Sequence, residues 1–176
     1  MKKFNEGWYV VYTKPRHEKK VCTALEDLGI GHFFAMMKKL RIWSDRRKYI
    51  DTPVFPSYIF IYLKDHQEYF KGLDVDGVLY YVRMGKEVAK VNTAIVDNLK
   101  VMLNSGGPIE VTETNFMPGQ LMVIQQGPLA GFTGEVVEYN GCEKVLVRVQ
   151  LFQRNVLMSL SQEYLMEEAS AYSSRS

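Results

Sequence analysis

The sequence predicts two domains of different class. An α+β domain, with helices covering one face of a mainly antiparallel sheet, comes first, and a small all-β barrel follows. Three observations predict this. Residues 1–104 read in order as strand, helix, strands, short helix, strand and helix. Ser57–Leu63, SYIFIYL, is the clearest strand of the chain, and its alternation splits it into two faces. Gly127–Tyr139, GPLAGFTGEVVEY, sets Gly127, Gly131 and Gly134 between the strand-like runs Gln120–Gln126 and Lys144–Val149. Glycines at that spacing let a chain of short antiparallel strands turn tightly. The expected boundaries are a first domain over 1–104, a linker over 105–116, a barrel over 117–166 and a disordered tail over 167–176.

Taken in order, Trp8–Tyr12, WYVVY, reads as a buried strand. Pro15 suits the first turn of a helix, where its missing N–H costs little. Val21, Cys22, Leu25 and Leu28 then share one helical face, and Gly29 stops it. His32–Ile42 is extended, and Ser44–Lys48, SDRRK, is a basic hairpin tip or loop. Tyr49–Phe55 leads into the strand at Ser57–Leu63. There Ile59, Ile61 and Leu63 suit a helix-covered face, while the aromatic face of Tyr58, Phe60 and Tyr62 needs cover or a partner. Asp65–Leu73 reads as a short helix, Gly77–Val82 as a strand and Arg83–Lys86 as a turn. Asn92 reads as an N-cap, with Val91 and Val96 as a hydrophobic staple. Ile95, Leu99, Met102 and Leu103 form the stripe of the last helix, ended by Ser105–Pro108. In the barrel, Leu151–Leu160 closes the strand series.

Of the 176 residues, 47% are hydrophobic and 24% charged, the balance of a soluble globular protein. No apolar run is long enough to span a bilayer, so no membrane partner is expected. The opening MKKFNEGWYVVY lacks a signal-peptide pattern, which predicts a cytoplasmic protein. Cys22 and Cys142 stand far apart, and His17, His32 and His66 form no ligand spacing, so no metal and no cofactor is expected. Charge is uneven: 1–104 holds 18 Lys and Arg against 12 Asp and Glu, a net of +6, whereas 105–176 holds 4 against 8, a net of −4. A basic first domain suits a nucleic-acid backbone and an acidic second domain does not.

Five segments together resemble the NusG family of transcription elongation factors. They are WYVVYTKPRHEKK, the VFPSYIFIYL strand, GVLYYVRMG at Gly77–Gly85, the helix over 92–104 and the Gly127 turn, spanning about residues 7–166. The glycine turn resembles the family's KOW motif, which implies an SH3-like barrel. PVFPSYIFIYL and VRMG are similar to segments of the specialised RfaH-type antiterminators, and the opening resembles the UpxY-type regulators of capsule operons. The resemblance implies a monomeric binding protein. Its first domain docks an apolar patch on the RNA polymerase clamp, bridges the cleft, and disfavours pausing and termination. The patch maps to Tyr12, Tyr58 and Phe60, with Trp8, Phe55 and Val82 beside them. Core packing is the competing reading for each, and the preferred one for Trp8.

The resemblance further implies that Lys14, Arg16, His17, Lys19 and Lys20 touch non-template DNA of the paused complex. Cations at a helix start oppose the macrodipole, which favours a functional reason for them. Arg46, Arg47 and Lys48 form a second cluster, read chiefly as an exposed loop. Gly127, Pro128, Gly131 and Gly134 are expected to shape the KOW turn. Phe152 takes the place of a family aromatic that meets a small-subunit ribosomal protein or Rho, with a barrel-core role as the alternative. One departure is plain: where RfaH-type proteins carry a His-Thr-Thr run against the polymerase rim, this chain has DHQEYFKGLDVD.

The reading is therefore an operon-specific antitermination or elongation factor. A general NusG-type factor linking polymerase to Rho or the ribosome is the alternative, and a ribosome- or RNA-associated KOW protein is the second. An enzyme is not expected, because no nucleophile elbow, P-loop or metal set appears.

Overall fold

The computed structural model describes residues 4–124, 127, 129–159 and, as backbone, 167–168. It divides into two units, Met1–Lys39 with Asp51–Val96 and Leu40–Ile50 with Asp97–Ser176.

The first unit opens with β1 (Gly7–Thr13) and α1 (Glu18–Asp27). Pro15 does not begin the helix as expected. It lies in a turn closed by the His17 N–H on the Lys14 carbonyl at 3.1 Å, and Arg16 beside it holds a φ of 66°. The helix then starts at Glu18, whose buried carboxylate accepts from the Ser57 backbone N–H at 3.0 Å. Gly29 stops the helix as expected, its N–H reaching the Glu26 carbonyl at 2.9 Å. Val21 and Leu25 are buried and Cys22 is half-buried, whereas Leu28 is exposed because the helix ends before its side chain turns under.

β2 (Gly31–Phe33) is followed by a separate two-stranded hairpin of β3 (Met36–Ile42) and β4 (Arg47–Pro53). Next come β5 (Tyr58–Leu63), α2 (His66–Leu73) and β6 (Val78–Tyr81). Asp65 caps α2 by accepting from the Glu68 N–H at 2.8 Å. A small hairpin of β7 (Arg83–Met84) and β8 (Glu87–Val88) precedes β9 (Lys90–Val91). The main sheet runs β2-β5-β1-β6, with β9 pairing the start of β1, and every pairing is antiparallel. One face carries Tyr9, Val11, Ile59, Ile61, Leu63 and Tyr81 onto Val21 and Leu25 of α1 and Tyr69 and Leu73 of α2. Ile59, Ile61 and Leu63 are wholly buried. Each such side chain contributes about 1.5–3 kcal/mol.

α3 (Thr93–Asn104) starts as expected: the Asn92 carboxamide oxygen accepts from the Ala94 N–H at 2.9 Å, and Val91 and Val96 are both buried. Its buried residues are Val96, Asn98, Leu99 and Met102, so a polar residue joins the predicted stripe and Ile95 and Leu103 stand at its margins.

The second unit holds β10 (Ile109–Thr112), β11 (Gln120–Val123), β12 (Thr133–Tyr139), β13 (Cys142–Val149), β14 (Arg154–Ser159) and β15 (Glu167–Glu168). They form one antiparallel sheet in the order β10-β14-β13-β12-β11-β15. Two expectations change here. The segment read as linker contains β10, paired with β14 from Ile109–Met158 to Thr112–Asn155, and this backbone pairing needs no strong hydrophobic period. The run read as one strand over Leu151–Leu160 is broken, because Gln150–Phe152 is a 3-10 turn and Gln153 is left-handed at φ 51°. Of the expected tail, β15 pairs with Met122 and Val123, and the rest lies outside the described residues.

Candidate functional site

The sheet face opposite α1 and α2 carries Trp8, Val10 and Tyr12 from β1 and Tyr58, Phe60 and Tyr62 from β5. Register joins them in cross-strand pairs: Trp8 with Tyr62, Val10 with Phe60, and Tyr12 with Tyr58. β6 adds Tyr80 opposite Tyr12. Tyr58, Tyr12 and Tyr80 thus form a row across three adjacent strands. Their ring centroids are 5.1 Å apart at each step, tilted between Tyr12 and Tyr58 and stacked between Tyr12 and Tyr80. Tyr12 and Tyr58 are half-buried, while Tyr80 is 51% exposed beside Leu79 at 45%. Burial, then the neighbouring Tyr80 and Tyr12, push the Tyr58 phenol up from its ordinary range, so its hydroxyl stays a neutral donor.

The other predicted patch residues lie deeper. Phe60 is wholly buried, with its ring 5.9 Å from that of Phe33 and 6.2 Å from that of Phe55. Phe55 and Trp8 are also buried, and Trp8 packs edge-on against Tyr62 at 5.3 Å. In this arrangement these three support the face from within and do not present their rings. Val82 follows β6 and is half-buried, its N–H on the Val10 carbonyl. The open end of the face is the tyrosine row. Tyr80 was missed because Tyr80 and Tyr81 are adjacent, and alternation alone does not say which turns outward. Tyr81 goes inward, stacks on Tyr69 at 4.4 Å and donates to the Tyr69 carbonyl at 2.9 Å.

The cationic opening is only partly available. Lys20 makes a 2.6 Å ion pair with Asp76, and Lys14 approaches the same carboxylate at 3.9 Å. The Lys20 hydrogen bond and charge, then Lys14, hold the Asp76 carboxyl below its usual range. The imidazole Nδ1 of His17 lies 3.1 Å from the Pro15 carbonyl oxygen. Arg16 and Lys19 are exposed. The macrodipole conflict expected at this helix is relieved by Glu18 in its first turn. Asp76 sits 56 residues from Lys20, beyond any local pattern.

In the second unit the glycine turn joins β11 to β12. Gly127 and Gly131 hold φ of 81° and 91°, a region that other residues enter only with strain, and the Gly131 N–H reaches the Ile124 carbonyl at 2.9 Å. Gly134 lies within β12, and Pro128 lies outside the described residues. Asn98 binds both backbone groups of Thr133, donating to its carbonyl at 2.6 Å and accepting from its N–H at 3.0 Å. Phe152 is half-buried on the 3-10 turn and lines an open groove with Arg148, Gln150, Gln153 and Asn155. Among the described residues no group of three His, Cys, Asp or Glu could hold a metal, and no helix is long and apolar enough to cross a membrane.

Against known proteins, residues 6–100 match the family model described as "Transcription termination factor nusG". The chain is similar to the transcription termination/antitermination protein NusG of Halalkalibacterium halodurans, 24% identical over 168 residues that cover 88% of this chain and 94% of that one. It is 25% identical to the protein of the same name from Bacillus subtilis over 167 residues, again 88% and 94% of the two chains. A solved structure of Thermotoga maritima NusG, described for its domain interaction, aligns over 91% of this chain and 96% of its own at 22% identity and a TM-score of 0.45.

Proposed function

Since the chain belongs to the NusG family, we propose that it is a transcription termination/antitermination factor, a binding protein that docks on the RNA polymerase clamp and shifts the balance between elongation and pausing. The observation that carries this is the Tyr58–Tyr12–Tyr80 row, a ladder of rings that opens outward on a sheet whose other face is sealed by helices. Large, partly exposed aromatics backed by a rigid core are what a protein interface uses as anchors. Phe60, Phe55 and Trp8 stiffen the row from behind. Arg16 and Lys19 then meet non-template DNA, with Lys14 and Lys20 joining once Asp76 gives them up.

The division of labour follows the charge. The basic first domain, 1–104, carries the polymerase and DNA contacts. The acidic second domain is a KOW barrel that recruits a further protein, Rho or a small-subunit ribosomal protein, at the groove beside Phe152. Its start lies ahead of Ile109, because a cut inside 105–116 would remove the strand that pairs with β14. The likeness of PVFPSYIFIYL and VRMG to RfaH-type factors supports an operon-specific role. Nascent-transcript sequencing with and without the protein tests this: effects confined to a few long operons support it, and effects at all genes make the chain a general factor. No change in pausing on purified polymerase would overturn the reading itself.

A further inference from the structure

The hairpin of β3 and β4 stands apart from the main sheet and pairs with no other strand among the described residues. Its strands are 7 residues each, about 23 Å long at 3.3 Å per residue. All residues from 38 to 49, KKLRIWSDRRKY, are exposed. Lys38, Lys39, Arg41, Arg46, Arg47 and Lys48 share this stretch with a single acid, Asp45. Among the described residues none of the six cations has an ion pair, unlike Lys14 and Lys20, which share Asp76. Apolar surface lies among them: Ile42 is 65% exposed, Tyr49 64%, Trp43 43% and Leu40 42%. The turn is closed by the Trp43 backbone N–H on the Arg46 carbonyl at 2.8 Å, and the Arg46 guanidinium lies 5.7 Å from the Trp43 ring centre.

Charge on an open hairpin has a plain use, since lysines and arginines keep exposed strand edges from pairing with other chains. That accounts for cations and not for an exposed Trp, Tyr and Ile among them. Unpaired cations interleaved with exposed aromatic rings are the equipment for holding a polynucleotide by phosphate and base together. Bases in a duplex hide their faces in the stack, so the rings gain nothing there, whereas a single strand offers them. Discriminating RNA needs partners for the 2′-hydroxyl, and apart from its cations and aromatics the stretch offers only Ser44 and Asp45. We propose that the β3–β4 hairpin is a binding site for single-stranded DNA, separate from the Lys14–Lys20 cluster, with its cations on phosphates and Trp43 and Tyr49 stacked on bases.

The test uses the full chain, free of polymerase, and a labelled oligodeoxythymidine of about 10 nucleotides, within the usual span of such sites. Fluorescence anisotropy is read at several salt concentrations. The single strand should bind more tightly than a duplex of equal length. Trp43→Ala with Tyr49→Ala should weaken it about tenfold or more while duplex binding holds. Arg41→Gln with Arg46→Gln and Arg47→Gln should weaken both and make the salt slope shallower by about 2. All the altered side chains are exposed, so the thermal melt should not move, and polymerase capture of both variants should persist. The proposal is overturned if the duplex binds as well as the single strand, if the aromatic variant binds normally, if oligouridine binds tenfold tighter than the DNA, or if no saturable binding occurs at low salt.

Discussion

Phe60→Ala and Tyr80→Ala separate stability from binding on one sheet face. Phe60 is wholly buried between Phe33 and Phe55, so its removal should cost about 3–5 kcal/mol in a denaturant melt. Tyr80 is half exposed, so its loss should cost under about 1 kcal/mol while weakening polymerase capture. A second residue prediction concerns Asp76. Because its pKa is depressed in the folded chain, the tie to Lys20 and Lys14 is present above the ordinary carboxylate range and is lost as pH falls through the depressed value. Asp76→Asn should free both cations at neutral pH and strengthen binding to paused complexes severalfold; unchanged or weaker binding would remove this cluster from the DNA contact. A third concerns the thiols. Burial, then Glu18, push the Cys22 thiol up to about 11, so its thiolate is about a hundredfold scarcer at neutral pH than in an ordinary cysteine. Mass spectrometry after iodoacetamide should show exposed Cys142 modified first. The sequence showed which residue types cluster, as in Lys14–Lys20 or Tyr58–Tyr62, and not which would be neutralised or covered. Asp76, Phe33 and Phe55 decide that, and they reach these residues only through the fold.

At the level of elements, α3 makes one polar contact that periodicity did not reveal. Asn98 sits on its buried side and closes both backbone groups of Thr133, the first residue of β12. Asn98→Ala would leave that buried N–H and C=O unpaired, at a cost of about 1–3 kcal/mol. The melting transition of the second unit should fall accordingly; an unshifted transition would mean that water replaces the carboxamide. Elements with strong local signals were legible: β5 from its alternation, α3 from the Asn92 cap and its staple, and α1 from its Gly29 stop. Those missed have weak local signals. β10 is a four-residue strand held by β14, the break at Gln150–Phe152 depends on a left-handed Gln153, and the turn at Lys14–His17 displaces the helix start that Pro15 suggested.

For the whole molecule, two domains of opposite charge were visible in composition, while the place to separate them was not, because β10 lies where a linker was expected. A fragment of residues 1–104 should still alter pausing on purified polymerase, and a fragment of 105–176 should fold without doing so. The most direct measurement of the central claim is the affinity of the full chain for RNA polymerase, compared with that of a Tyr12→Ala, Tyr58→Ala, Tyr80→Ala variant whose circular dichroism melt is recorded alongside. The tyrosine row as the docking surface predicts a loss of about a hundredfold or more in a folded variant. A folded variant that binds as tightly as the original chain would contradict it.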